Sequence, residues 1–376
     1  MKLTAVKSKF FVLTATATTF VFLTKLSIFT ASPAQTSTGS VTDNIEVISV
    51  TFDPRRAKEG DEESTQRKRE RVILENRAGV LAERARAVAR VCQETPATKS
   101  ALEAGNFIWD LKHTPSIVWC PIYKVASTTW LRNFLRLAHF NEDNPEIPDG
   151  LPEERREKRR FLPKYGANHN TAFEMYHSPP TLEERDLALR KSARVIIVRH
   201  PFTRLLSAYR DKIIKANPRP KKFKFKELQA YIVAKYRKGH SASASAPPRP
   251  TFPEFVQHVI DSTQNLSSAA EWRENVKCWT PYWAHCNVCN FDYTVIMKLE
   301  SMQQDEQFLI TLSHLDELKN RTSWVHLNGA SSTQLAMQYY KELTRHQMSQ
   351  LYKRYELDFK LFQYDIDDFL SIAKDA

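Results

Sequence analysis

"CPIYKVASTTWLRNF" (residues 120–134) sets a lysine and three consecutive hydroxyl residues, Ser127, Thr128 and Thr129, between an apolar run and a helix-like run. The apolar run, "SIVWCPI" (116–122), is short and rich in β-formers, so it reads as a buried strand. After the turn, Trp130, Leu131, Phe134, Leu135 and Ala138 recur at helical spacing. A strand–turn–helix unit points the free amides and positive dipole end of its helix beyond the strand's carboxyl end, where anions collect. Lys124 adds a mobile cation there. Taken singly, the plainer reading is a helix capped by Thr128 or Thr129, with Lys124 in solvent. The turn lacks glycine and the Gly-Lys-Ser/Thr order, which excludes a Walker loop.

A second unit changes the balance. "RVIIV" (194–198) ends in "RHPFTRLLSAYRDK" (199–212), with Pro201 suited to the first helical position. Phe202, Leu205, Leu206, Tyr209 and Ile213 then share one helical face. Two such units predict an α/β fold with a central, mainly parallel sheet flanked by helices. Arg199 directly follows the second strand and Ser207 lies about two turns into its helix, so both are candidates for a second anionic group, with Arg204 as a helper. The plainer alternative pairs Arg199 with a carboxylate and packs Ser207 within the helix.

Composition agrees with an anionic partner. The 376 residues carry 55 Lys+Arg against 43 Asp+Glu, a formal net charge of +12. Only 8 glycines argue against a Gly-rich nucleotide loop. Lys2, Lys7 and Lys9 precede an apolar segment at 10–31, which reads as a signal anchor behind a cytoplasmic tail at 1–9. A cleaved signal peptide, with "TASPA" near the cut, competes with this. Either reading sends the remainder into the secretory pathway, where a nucleic-acid role does not fit.

Residues 32–105 read as a lumenal stem, in which 67–91 forms a solvated helix striped by Val72, Leu74, Val80, Leu81 and Val88. The folded domain then spans 106–376, with helical patterns at 303–319 and 333–356. "EERREKRRF" (153–161) and the basic 217–227 read as solvated segments, and 239–250 as a surface insertion. Asn265 and Asn320 open glycosylation triplets. Of five cysteines, an odd number leaves at least one unpaired in an oxidising lumen. Cys286 and Cys289 beside His285 have partial metal-ligand spacing. The lumenal address favours disulfides instead, with Cys278 or Cys120 as partners.

"YKVASTTW" and "VRHPFTRLLSAYRDK" together resemble the two cofactor motifs of the Golgi carbohydrate sulfotransferases. The branch is the one containing the HNK-1, chondroitin 4-O- and dermatan 4-O-sulfotransferases. "CNVCNFDYTVIMKLES" (286–301) resembles a third family segment, and Trp272 is a candidate for the family's His-Trp element. The resemblance runs patchily from about Cys92 to Ser301. It implies a P-loop-like sulfotransferase fold, a 3′-phosphoadenosine 5′-phosphosulfate donor, no metal, and a type II Golgi membrane enzyme acting on an anionic glycan of a proteoglycan or glycoprotein. N-acetylgalactosamine of chondroitin- or dermatan-type chains is the expected acceptor. Carried over by position, Lys124, Val125, Ala126, Ser127, Thr128, Thr129 and Trp130 line the 5′-phosphosulfate site, and Arg199 and Ser207 bind the 3′-phosphate.

The base is expected between the two motifs, at His177 first and His169 second, in "GANHNTAFEMYHSPP". Two departures stand out. "ERDLALR" (184–190) occupies the place where the branch has Asn-His-Arg, and Tyr123 stands where the first motif has proline. A non-catalytic lumenal glycan-binding protein on the same fold is the rival reading. A kinase-like transferase is disfavoured, because no paired metal-binding carboxylates adjoin either motif.

Overall fold

A computed structural model describes residues 65–95, 107–139, 169–215, 225–237, 249–319 and 329–375 of the chain. The expected signal anchor at 10–31, the charged stretch at 153–161, most of the basic 217–227 and of the insertion, and Asn320 lie outside the described residues. Among the described residues no helix is long and apolar enough to cross a membrane.

Four strands form one sheet in the order β1-β2-β3-β4: Ile108–Asp110, Ser116–Cys120, Ser192–Val198 and Val295–Lys298. β2, β3 and β4 are parallel and β1 is an antiparallel edge strand. β3 is buried at all seven positions, as a sheet covered on both faces requires. The helices are α1 (Thr65–Glu94), α2 (Ser127–Leu137), α3 (His169–Met175), α4 (Leu182–Arg190), α5 (Pro201–Ala208), α6 (Phe225–Tyr236) and α7 (Phe252–Thr263). They continue with α8 (Ala269–Asn275), α9 (Tyr282–His285), α10 (Met302–Leu312), α11 (Asp316–Lys319), α12 (Gly329–Tyr340), α13 (Arg345–Leu361) and α14 (Asp367–Ser371).

Both expected strand–helix units form, β2 into α2 and β3 into α5. In the first, Trp119 stacks on Phe134 at 5.4 Å between ring centroids while Trp130 packs against both. Burying aromatics of that size supplies a large share of the fold's stability. Trp272 lies in the core beside Tyr355.

The helix expected as a solvated stem is packed. α1 buries Leu81, Ala87, Val88 and Cys92, while Val72 and Val80 face solvent. Leu74, Ala78, Ala85 and Val91 pack against the same core, and two arginines join them: Arg77 and Arg84 pair at 2.6 and 2.9 Å with Asp305 of α10, a carboxylate with no solvent exposure. A buried carboxylate must be paired, and long basic side chains reach one from a helix with a thin apolar stripe. The expected 303–319 helix breaks into α10 and α11 at left-handed His314. The 333–356 pattern divides where Thr344 and Gln347 form a capping box at the start of α13.

Two disulfides tie distant segments together, Cys92–Cys289 and Cys120–Cys286, leaving Cys278 free and buried. Cys120 rather than Cys278 is therefore the partner of Cys286.

Candidate active site

The loop between β2 and α2 owes its shape to two left-handed residues, Lys124 (φ 74°) and Ala126 (φ 64°). For a residue with a Cβ this costs on the order of 1–2 kcal/mol each, so the surroundings must impose it. Val125 between them is fully buried and pins the loop to the core. Arg204 Nε donates to the Tyr123 carbonyl at 3.0 Å. A carbonyl is what proline also offers, which accounts for tolerance of Tyr123 at the motif's proline position.

No side chain caps α2. The Ala126 carbonyl instead accepts from the amides of Thr129 and Trp130, so Thr128 and Thr129 are not the caps that the plainer reading required. Thr128 is exposed, Thr129 half-buried and Ser127 buried. The side chains of Val125 and Trp130 belong to the core; the Trp130 amide is taken by the Ala126 carbonyl, and its indole Nε1 is buried with no partner among the described residues.

Lys124 Nζ lies 3.1 Å from Asp211 Oδ2, and Lys212 Nζ reaches the same oxygen at 3.1 Å. Burial lowers the pKa of Lys124 and Asp211 opposes that shift. For Asp211, burial alone pulls upward, but Lys124 and Lys212 overcome it and hold the carboxyl well below its ordinary range. Asp211 gets there because the α5 helix continues as a wider π-helical turn, Tyr209–Ile214. Arg204, Ser207 and Asp211 follow one another at three and four residues, hence on one helical face. Arg204 touches Tyr123 and Asp211 touches Lys124, so Ser207 lies between them facing the first loop. Seven of the eight residues of α5 are buried, and Ser207 alone is half-exposed.

Arg199 follows the carboxyl end of β3. Burial lowers its pKa, and its Nε is buried with no partner among the described residues. Arg204 is 2 % exposed, with its guanidinium 4.5 Å above the Tyr282 ring and Nη2 also unpartnered among the described residues. The structure thus sets Arg204 beneath the site as a brace, rather than at its surface. Orphaned cationic donors beside a loop of alternating backbone handedness, ahead of an uncapped helix, fit an anionic group.

The third parallel strand ends at the same edge. Lys298 closes β4, its pKa pushed down to about 8 by burial, with its ammonium 4.3 Å from the Tyr364 ring centroid. Glu300 accepts from the His200 amide and from the Tyr364 hydroxyl, both at 2.9 Å. His200 itself caps α5 and, desolvated, has its pKa lowered.

His177 is not part of this edge. It lines a cavity of about 460 Å3 with Leu111, Ser116, Pro179 and Lys191, at the amino ends of β2 and β3. The length of β2 alone, about 13 Å, separates that end from the Lys124 loop, so the structure does not bring His177 to that loop. His169 opens α3, at the far end of that short helix from His177. The region of "ERDLALR" is the exposed helix α4, begun by a Thr181–Glu184 capping box. Cys120, His285 and Cys286 have ligand atoms within 4.8 Å of one another, but the two sulfurs share a disulfide, and His285 Nε2 lies 3.2 Å from the Pro121 carbonyl.

Sequence reasoning missed Asp211, Tyr282 and Glu300. Asp211 stood inside the quoted second motif, four residues after Ser207, and that spacing was the available signal.

The profile of the sulfotransferase family matches residues 107–365, more than half of the chain, and the chain belongs to that family. It is 26% identical over 297 residues to carbohydrate sulfotransferase 10 of Rattus norvegicus, covering 77% of each chain. Against carbohydrate sulfotransferase 10 of Homo sapiens it is 25% identical over 299 residues, again 77% of each. Carbohydrate sulfotransferase 11 of Rattus norvegicus is 24% identical over 274 residues, 70% of each. No solved structure matches.

Proposed function

We propose that this chain transfers sulfate from 3′-phosphoadenosine 5′-phosphosulfate to a hydroxyl of a glycan. The observation that carries the reading is the meeting of the two junctions in the Lys124–Asp211 pair, which brings the cations of both motifs to one edge of the sheet. The names of the relatives support a carbohydrate acceptor. The net charge of +12 supports an anionic one, such as N-acetylgalactosamine in chondroitin- or dermatan-type chains.

Lys124, the hydroxyls of Ser127, Thr128 and Thr129, and the amides from Val125 to Thr128 would hold the 5′-phosphosulfate, with Trp130 walling the site from the core side; Arg199 and Ser207 would hold the 3′-phosphate. When bound, the donor supplies a sulfuryl group on a phosphate leaving group. Lys124 stabilises the charge that grows on the departing oxygen, in a half-buried site where such stabilisation is stronger than in water. Asp211 holds the Lys124 ammonium in place and keeps it protonated. His169 is the remaining candidate to take the proton of the acceptor hydroxyl. These cations provide the charge stabilisation without a metal. The anchor at 10–31 would place residues 32–376 in the Golgi lumen.

The test is purified protein incubated with labelled donor and a panel of desulfated glycosaminoglycans, followed by disaccharide analysis. Label on a galactosamine-containing chain, insensitive to a chelator, is the expected result. No transfer to any glycan, with no binding of adenosine 3′,5′-bisphosphate, would sink the proposal. Binding without transfer points to the glycan-binding reading instead.

A further inference from the structure

Tyr282, fully buried in the four-residue helix α9, reaches both loops of the site. Its hydroxyl accepts from the Arg199 amide at 2.9 Å and donates to the Arg199 carbonyl at 3.0 Å. One phenol that takes both peptide groups of a single residue fixes that residue's backbone, and with it the start of the Arg199 side chain. The opposite arm runs through the ring. Arg204 stacks on it at 4.5 Å and spans to the carbonyl of Tyr123, one residue before Lys124.

The α9 segment is itself anchored twice. The amides of Tyr282 and Trp283 donate to Asp358 of α13 at 2.8 and 3.0 Å. Cys286, the residue that ends α9, is bonded to Cys120 at the end of β2, the strand that feeds the Lys124 loop. Tyr282 therefore stands on a rigid base between two anion-binding loops 75 residues apart in sequence, counting from Lys124 to Arg199.

We propose that Tyr282 is a positioning residue of the donor site: its hydroxyl holds the Arg199 loop and its ring, through Arg204, holds the Lys124 loop, so that the two anion cradles keep a fixed spacing. The inference rests on the donor reading above. Its physical content is preorganisation: a loop held in its binding geometry before the ligand arrives loses less freedom on binding. The two arms are separable, because the hydroxyl serves the 3′-phosphate side and the ring serves the 5′ side.

Tyr282→Phe removes the hydroxyl and keeps the ring. Arg204→Lys keeps the charge and loses the planar fork that stacks and reaches Tyr123. Full-length protein is titrated calorimetrically with adenosine 3′,5′-bisphosphate and with adenosine 5′-monophosphate. In Tyr282→Phe, affinity for the bisphosphate should fall about tenfold, the scale of losing buried hydrogen bonds. Affinity for the monophosphate should stay unchanged. Arg204→Lys should weaken both ligands by similar factors. A general loss of stability would not change the ratio between the two ligands, so that ratio separates positioning from mere support. An unchanged ratio in Tyr282→Phe, or wild-type affinity for both ligands in Arg204→Lys, overturns the inference. If the wild-type protein binds neither ligand, the donor reading itself has failed and the positioning role falls with it.

Discussion

Lys124 and Asp211, 87 residues apart, form a 3.1 Å ion pair that joins the loop after β2 to the helix after β3. The pair has a consequence for pH. Burial already lowers the Lys124 pKa, and Asp211 is what opposes it, with Lys212 and Arg199 adding to the lowering. Asp211→Asn removes the opposing charge, so Lys124 loses its proton at lower pH. The alkaline limb of the transfer rate should move to lower pH in this variant, as a pH–rate profile would read. Lys124→Ala should cut the rate by about 10²–10³-fold, the scale of losing one donor to the developing charge. An unmoved alkaline limb in Asp211→Asn would count against the coupling.

The two histidines between the motifs are expected to behave differently. His177 lies at the amino ends of the strands beside Ser116 and Lys191, so His177→Ala should retain near wild-type transfer. His169→Ala should lose about 10²–10⁴-fold, as for a removed general base, while still binding adenosine 3′,5′-bisphosphate. Steady-state rates with a fixed glycan and binding measured alongside would separate the two.

The strand–turn–helix units were legible because their signals are local. "SIVWC" and "RVIIV" are continuous buried runs, and the helices after them repeat at 3.6 residues. Lys124, Arg199 and Ser207 were singled out because of where they sit relative to the ends of those elements. Tyr282, Asp358 and Glu300 were not legible, since each acts through a partner 64 or more residues away in sequence, and no spacing rule connects them. The place of His177 at the amino ends of the strands was not legible for a similar reason: position between two motifs says nothing about which end of the sheet a loop returns to. α1 was misread as solvated because small alanines and the paired Arg77 and Arg84 share its inner face with the larger apolar residues, which thins the apolar stripe.

Two disulfides close loops of 197 and 166 residues in sequence separation. Cross-links of this length stabilise chiefly by restricting the unfolded chain, typically by about 2–4 kcal/mol each. For a domain of this size, Cys92→Ser combined with Cys289→Ser should lower Tm by about 5–15 °C. It should also loosen α1, seen as faster amide exchange over residues 65–94. Thiol titration of the unfolded, unreduced wild-type protein should find one free thiol, belonging to Cys278. Three would refute the connectivity.

Asp358 gives stability a pH dependence of unusual sign. It has no solvent exposure, and burial pushes its pKa up to about 7 against the pull of the Tyr282 and Trp283 amides and of Arg204. Between its ordinary value of 3.8 and about 7, the folded protein therefore holds a proton that the unfolded chain has released. Stability from this group is complete below the lower value and declines as pH rises through that window. The slope is at most about 1.4 kcal/mol per pH unit. Thermal unfolding should accordingly give a higher Tm at pH 5.5 than at pH 7.5. Asp358→Asn, which does not titrate, should lower Tm at both values by weakening the hold on α9, while removing most of the difference between them. The same gap between the two Tm values in wild type and variant would assign the pH dependence to another group.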